Sequence, residues 1–154
     1  MSETSLKATV QHDLHDAMRA RDKVRSGTLR MALTAITTEE VAGDEARELS
    51  DEEILKVLAK EAKKRKEAST AYRGAGRAEL ADTEDAELAI LETYLPAQLD
   101  DAELDRIVAE AVASTGATGM PQMGLVMKAA QPVVAGRADG GRVAAAVRKA
   151  LAGG

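Results

Sequence analysis

Between Met123 and Val143 the chain reads Met-Gly-Leu-Val-Met-Lys-Ala-Ala-Gln-Pro-Val-Val-Ala-Gly-Arg-Ala-Asp-Gly-Gly-Arg-Val. One short stretch thus holds an apolar helical run, a proline, a glycine-rich turn and the start of another periodic segment. Met120-Pro121 suits the first turn of a helix, where proline loses no internal hydrogen bond. Met123, Leu125, Val126 and Met127 are expected to face inward, and Gly124 to let a neighbouring helix approach closely. Pro132 is expected to end or kink that helix. Gly136 is placed where a positive φ is cheap, and Asp139 where it caps a last helix over 140–151. Val143, Ala146, Val147, Ala150 and Leu151 would then close a small bundle. The rest of the chain reads as helices that lead to this element or carry it.

Composition agrees with helix throughout. Aromatics make up 1% of the 154 residues, Tyr72 and Tyr94 alone. An all-β core leans on aromatic and β-branched residues, whereas alanine, leucine, glutamate and lysine favour helix. The predicted fold class is all-α. There are no cysteines, so no disulfide, thiolate metal site or cysteine nucleophile is available. No apolar stretch has signal-peptide or membrane-span length, which makes the cytosol the expected compartment.

Leu6, Val10, Leu14 and Met18 recur every fourth residue and predict a helix over 4–20. His12 and His15 flank it with Asp16 nearby. No third histidine exists to complete a ligand set, so two solvated imidazoles are the expectation and no metal is predicted. Asp22 is placed to cap a helix over 23–42 carrying Leu29, Leu33 and Ile36, which Gly43-Asp44 would end. Ser50-Asp-Glu-Glu53 has the form of a capping box opening a third helix over 51–73. Ile54, Leu55 and Leu58 begin its apolar stripe, which then thins to Ala59, Ala62 and Ala68. Gly74 or Gly76 supplies a left-handed stop. A fourth helix, 77–93, carries Leu80, Leu88 and Leu91. Tyr94-Leu-Pro-Ala-Gln-Leu99 breaks the pattern and suggests a domain boundary, giving domains 1–95 and 96–154. Asp100, with Glu103 in the cap-box arrangement, opens a helix over 101–114 with Leu104, Ile107, Val108, Ala111 and Val112 inward.

Charge is segregated along the chain. Residues 56–77 hold eight bases against Glu61 and Glu67, 79–110 hold eleven acids against Arg106, and 128–149 hold five bases against Asp139. The densest run, Lys60-Glu-Ala-Lys-Lys-Arg-Lys66, has two readings. It is a phosphate-binding surface with salt-dependent affinity, or a solvated helix face with local pairs at helical spacing over which the chain's acids fold back. Arg73-Gly-Ala-Gly76 lacks the spacing of a phosphate loop.

Leu29-Arg-Met-Ala-Leu-Thr-Ala-Ile36, Tyr94-Leu-Pro-Ala-Gln-Leu99, Met123-Gly-Leu-Val-Met127 and Gly136-Arg-Ala-Asp-Gly140 occur in this order and spacing in one known family. The chain resembles the stand-alone YqeY-like proteins, which share a helical tail with the B subunit of the tRNA-dependent glutamyl/aspartyl amidotransferase. The resemblance covers nearly the whole chain; Gly27 and Gly43 stand where larger residues are usual. It implies a four-helix N-terminal domain followed by a three-helix tail bundle. In the amidotransferase the tail helps engage tRNA away from the chemistry, so tRNA is the partner implied. The larger protein's carbon–nitrogen ligase activity, with glutamine as amido donor, belongs to parts with no counterpart here. No amidase Ser-Ser-Lys centre and no zinc-binding cysteines are present.

The leading expectation is a non-catalytic tRNA- or RNA-binding module without cofactor. Its candidate contacts are Arg19, Arg21, Lys23 and Arg25, with Arg30 beside them, then Lys60, Lys63, Lys64 and Lys66, then Arg137, Arg142 and Arg148. With no aromatic platforms, contacts would go to phosphate and folded shape. Arg137 and the amides near Gly136 and Gly140 offer an anion site at a helix N-terminus; a cap and tight turn explain them equally. The alternative is an adaptor for the amidotransferase or another translation component, using acidic 79–110 or a Met123/Met127 surface. No nucleophile–base–orienter set stands out, so catalysis by this chain alone is not expected.

Overall fold

The computed structural model describes residues 5–153, and most of its α-helices start where a capping side chain stands. Among the described residues there are seven α-helices, one short 3-10 turn and no strand. They are α1 Leu6–Arg19, α2 Lys23–Glu40, α3 Asp51–Gly74, α4 Ala78–Glu92, α5 Asp101–Thr115, the turn Met120–Gln122, α6 Met123–Val134 and α7 Gly140–Ala152. The all-α expectation holds; the expected helix start at residue 4 lies outside the described residues. Ser5, Asp22, Ser50, Asp100 and Asp139 each accept from the amide three residues on, satisfying one orphan donor per helix. At Ser50 the Glu53 carboxylate also takes the Ser50 amide, completing the capping box. At Asp100 only the forward half forms.

The chain divides into two compact units, one through Leu95 and one from Pro96. In the first, α1 packs on α2 and α3 on α4. Ala32, Ile36, Ile54, Leu58, Ala62 and Leu91 form its main core, with a second cluster of Val10, Ala17 and Leu29. The Tyr94 hydroxyl reaches back 2.5 Å to the Asp13 carboxylate, locking the end of α4 onto α1. α2 stops at Glu40, earlier than Gly43-Asp44 suggests. The buried Glu40 carboxylate takes Lys7 Nζ at 2.8 Å and its carbonyl takes the Arg47 amide, so the chain turns there.

In the second unit Leu104, Val108, Val126, Val134, Val143, Val147 and Leu151 make the core. Leu99 joins it, its amide donating to the Arg137 carbonyl at 2.8 Å. Three local expectations change. Gly124 faces open space, where an added Cβ would meet nothing within 4 Å, so it mediates no close helix approach. Leu125 points outward and is 50% exposed, because the buried arc runs through Val126, Ala130 and Val134 with Met123 and Met127 partly buried beside it. α6 runs two residues past Pro132 to Val134, since proline in a last turn removes one donor without blocking the residues after it.

Candidate functional site: the lysine face of α3 and its groove

Along α3 the inward stripe continues as Ile54, Leu58, Ala62, Arg65 and Ser69, so a base and a hydroxyl sit where an apolar residue would stand. Arg65 is 7% exposed. Its guanidinium donates to Glu87 at 3.1 Å, lies 3.5 Å from Glu61 and 3.9 Å from Glu84, and approaches the Met31 sulfur. Acidic α4 therefore does fold back over the basic run, and it selects arginines. Arg73 takes Asp82 at 3.0 Å and Asp85 at 2.6 Å, and Arg77 takes Glu79 at 3.1 Å. Ser69 and Arg73 together hold the Asp85 carboxyl below its usual range, the Ser69 hydrogen bond being the larger cause. Planar guanidinium forks suit such carboxylate clamps, whereas ammonium groups stay hydrated.

The lysines are left outside. Lys56, Lys60, Lys63 and Lys66 are exposed and form no ion pair among the described residues. Lys56, Lys60 and Lys63 lie at i, i+4 and i+7 on one face, with Lys66 beside them. Lys64 differs, donating to Glu61 at 3.1 Å.

Beside this face α2 and α3 leave a groove of about 700 Å³. From α2 it is lined by Gly27, Met31, Thr34, Ala35 and Thr38, with Arg30 and Glu39 at its edges. Val57, Lys60, Glu61 and Lys64 line it from α3. The Thr34 and Thr38 hydroxyls donate to carbonyls one turn back at 3.0 and 2.9 Å, so their methyls are what remains for the groove. Sequence reading assigned no role to this feature, although its α2 half is visible as small residues at helical spacing.

The other candidates do not converge on this site. Arg19 pairs with Asp16, which also lies 3.3 Å from His12. Arg21 and Lys23 are exposed at the α1–α2 turn, Arg21 in a left-handed conformation at φ 57°. Arg25 is half-buried, 4.0 Å from Asp13. In the tail, the Arg137 guanidinium donates to the Val133 and Val134 carbonyls at 2.7 and 3.1 Å, closing the end of α6. The Asp139 carboxylate takes the Arg142 amide at the N-terminus of α7, as the cap reading of this turn expects. Arg142 bridges the Leu99 carbonyl and Asp101 at 2.9 and 3.0 Å, tying the entry of α5 to α7. Arg148 is exposed. Met123 and Met127 are partly buried against the tail core.

The profile of the family described as Yqey-like protein matches residues 7–151. The chain belongs to the YqeY-like family. An uncharacterized protein of Schizosaccharomyces pombe is 34% identical to this YqeY-like chain over 93 residues, 60% of this chain and 73% of that one. Altered inheritance of mitochondria protein 41, mitochondrial, of Meyerozyma guilliermondii is 32% identical over 87 residues. That match covers 56% of this chain and 44% of the relative, so the YqeY-like chain spans less than half of that protein. Among the described residues of the YqeY-like chain no His, Cys, Asp and Glu cluster is suited to a metal, and no helix is long and apolar enough to cross a membrane.

Proposed function

We propose that the protein is a non-catalytic RNA-binding module acting on tRNA, with the α3 lysine face as its contact surface. The observation that carries this is the sorting of the basic run: α4 takes the arginines, while Lys56, Lys60, Lys63 and Lys66, on adjoining positions, have no ion pair among the described residues. Such a row neutralises phosphates without reading bases, in keeping with a chain that has only two aromatic residues. The class of RNA is carried by the family's likeness to the amidotransferase B-subunit tail. Carbon–nitrogen ligase chemistry forms no part of the proposal, because no grouping of residues supports a reacting centre. The same likeness favours a site of action in translation.

Binding of the full chain to total tRNA at two salt concentrations, with duplex DNA of matched charge as control, tests the reading. Salt-sensitive binding that prefers tRNA and is lost in Lys63→Glu/Lys66→Glu is the expected result, each phosphate contact adding roughly 0.7–0.9 to the salt slope. No binding at low salt removes RNA from the function of this chain.

A further inference from the structure

The α2/α3 groove is shaped for a helix rather than for a nucleic-acid chain. Gly27, Met31, Thr34, Ala35 and Thr38 lie at i, i+4, i+7, i+8 and i+11, one straight face of α2. At 1.5 Å per residue that face is about 16 Å long, three turns of helix. Met31 is 46% exposed, and nothing lies within 4 Å of a Cβ built at Gly27. The floor is aliphatic, formed by Met31, Ala35, Val57 and the threonine methyls, with no ring on which a base could stack. At the rim the charge is positive: Arg30 and Lys60 are exposed without an ion pair among the described residues, and Lys64 stands with its side chain 58% exposed. Of the lining acids, Glu61 is buried and already held by Arg65 and Lys64. Glu39 alone is exposed.

We infer that this groove docks an amphipathic helix of a protein partner, its large aliphatic side chains seated between Gly27, Met31 and Val57 and its flanking carboxylates on Arg30, Lys60 and Lys64. Small residues on α2 let the incoming backbone come within helix-packing distance, and the ridge of Leu- or Met-sized anchors fills the space their missing side chains leave. The cations set which partner is accepted, favouring acidic helices and repelling basic ones. This site adds to the RNA reading and does not depend on it: the RNA test uses Lys63 and Lys66, which do not line the groove.

The test is methyl NMR of the full chain with labelled methionines. The probe is a synthetic helical peptide of alanine, leucine and glutamate, with leucines at i, i+4 and i+7 and glutamates flanking them. A counterpart with lysine for glutamate is the control. The acidic peptide is expected to shift the Met31 methyl saturably while Met18 and Met120, comparably exposed at 51% and 44%, stay in place. Thr34→Glu, at an exposed position, is expected to weaken binding by about tenfold or more. Ala35→Leu, which fills the groove without adding charge, is expected to do the same. An unmoved Met31, equal shifts by both peptides, or shifts spread over all three methionines would overturn the inference. A Met31 shift produced by tRNA and not by the peptide would overturn it too, by giving the groove to RNA.

Discussion

Arg65 Nε lies 3.1 Å from Glu87 Oε2, joining α3 to α4 beneath a helix face whose lysines stand in solvent. One residue in a run of bases is thus structural, while Lys63 and Lys66 are exposed with no ion pair among the described residues. The guanidinium is almost fully covered and sits among Glu61, Glu84 and Glu87. Removing it takes the counter-charge from Glu84 and Glu87 and leaves Glu61 with Lys64 alone. Arg65→Met is therefore expected to cost roughly 3–5 kcal/mol, because the loss of one member of a buried pair strands the other. Lys63→Met, two residues away and facing solvent, is expected to change stability by no more than about 0.5 kcal/mol. Denaturant melts of the two variants check the contrast.

Acid stability carries a second signature. The Arg47 guanidinium, then the Ser50 amide, hold the Glu53 carboxyl down from its ordinary 4.5 to about 2. The folded chain therefore binds this proton more weakly than the unfolded chain, and the pair stabilises fully above pH 4.5 and progressively less as pH falls toward 2. Both side chains are more than a third exposed, so solvent screens the effect. Thermal melts across this window should show a smaller decline for Glu53→Gln than for the parent chain.

The end of α6 offers a test at a single residue. Ala135 has φ 49°, a left-handed conformation that a Cβ disfavours. Ala135→Gly is expected to stabilise by about 0.5–1 kcal/mol, the relief of backbone strain outweighing glycine's extra unfolded freedom. Arg137→Ala should act oppositely, since the Val133 and Val134 carbonyls lose the guanidinium that donates to them at the end of the helix. A fall in melting temperature with an unchanged salt slope for tRNA binding would mark Arg137 as a capping residue.

Residues 96–154 gather their own core around Val108, Val126, Val134, Val143 and Val147, each 0% exposed. Expressed alone, this segment is expected to fold into a helical bundle that melts cooperatively, as a separate domain would. Val126→Ala should cost it about 2 kcal/mol or more, on the scale of methyl deletion in a packed core. A segment that is unfolded by circular dichroism would show that the two units need each other.

How far each feature could be read from sequence follows the range of the interaction behind it. Ser50 with Glu53, Asp22 with Arg25 and Asp139 with Arg142 are contacts three residues apart, so the letters alone locate these helix starts. The apolar period likewise places Leu58, Val108 and Val147 inside. Leu125 and Gly124 were misplaced because an apolar run longer than the buried arc does not say which member turns outward. The stripe on α3 was misread after Ala62, since Arg65 and Ser69 do not announce themselves as core residues.

By itself, then, the order of residues determined an all-helical chain and the helix starts that a side chain caps, because capping and periodicity act within one or two turns, and its ordered motifs carried the likeness to the YqeY-like family. Only the tertiary structure decided which bases remain free. That depends on how α4 is rotated against α3, bringing Glu87 to Arg65 and Asp85 to Arg73 across 22 and 12 residues of sequence. The groove has the same origin: small residues on α2 become a site only where α3 lies alongside and does not fill them.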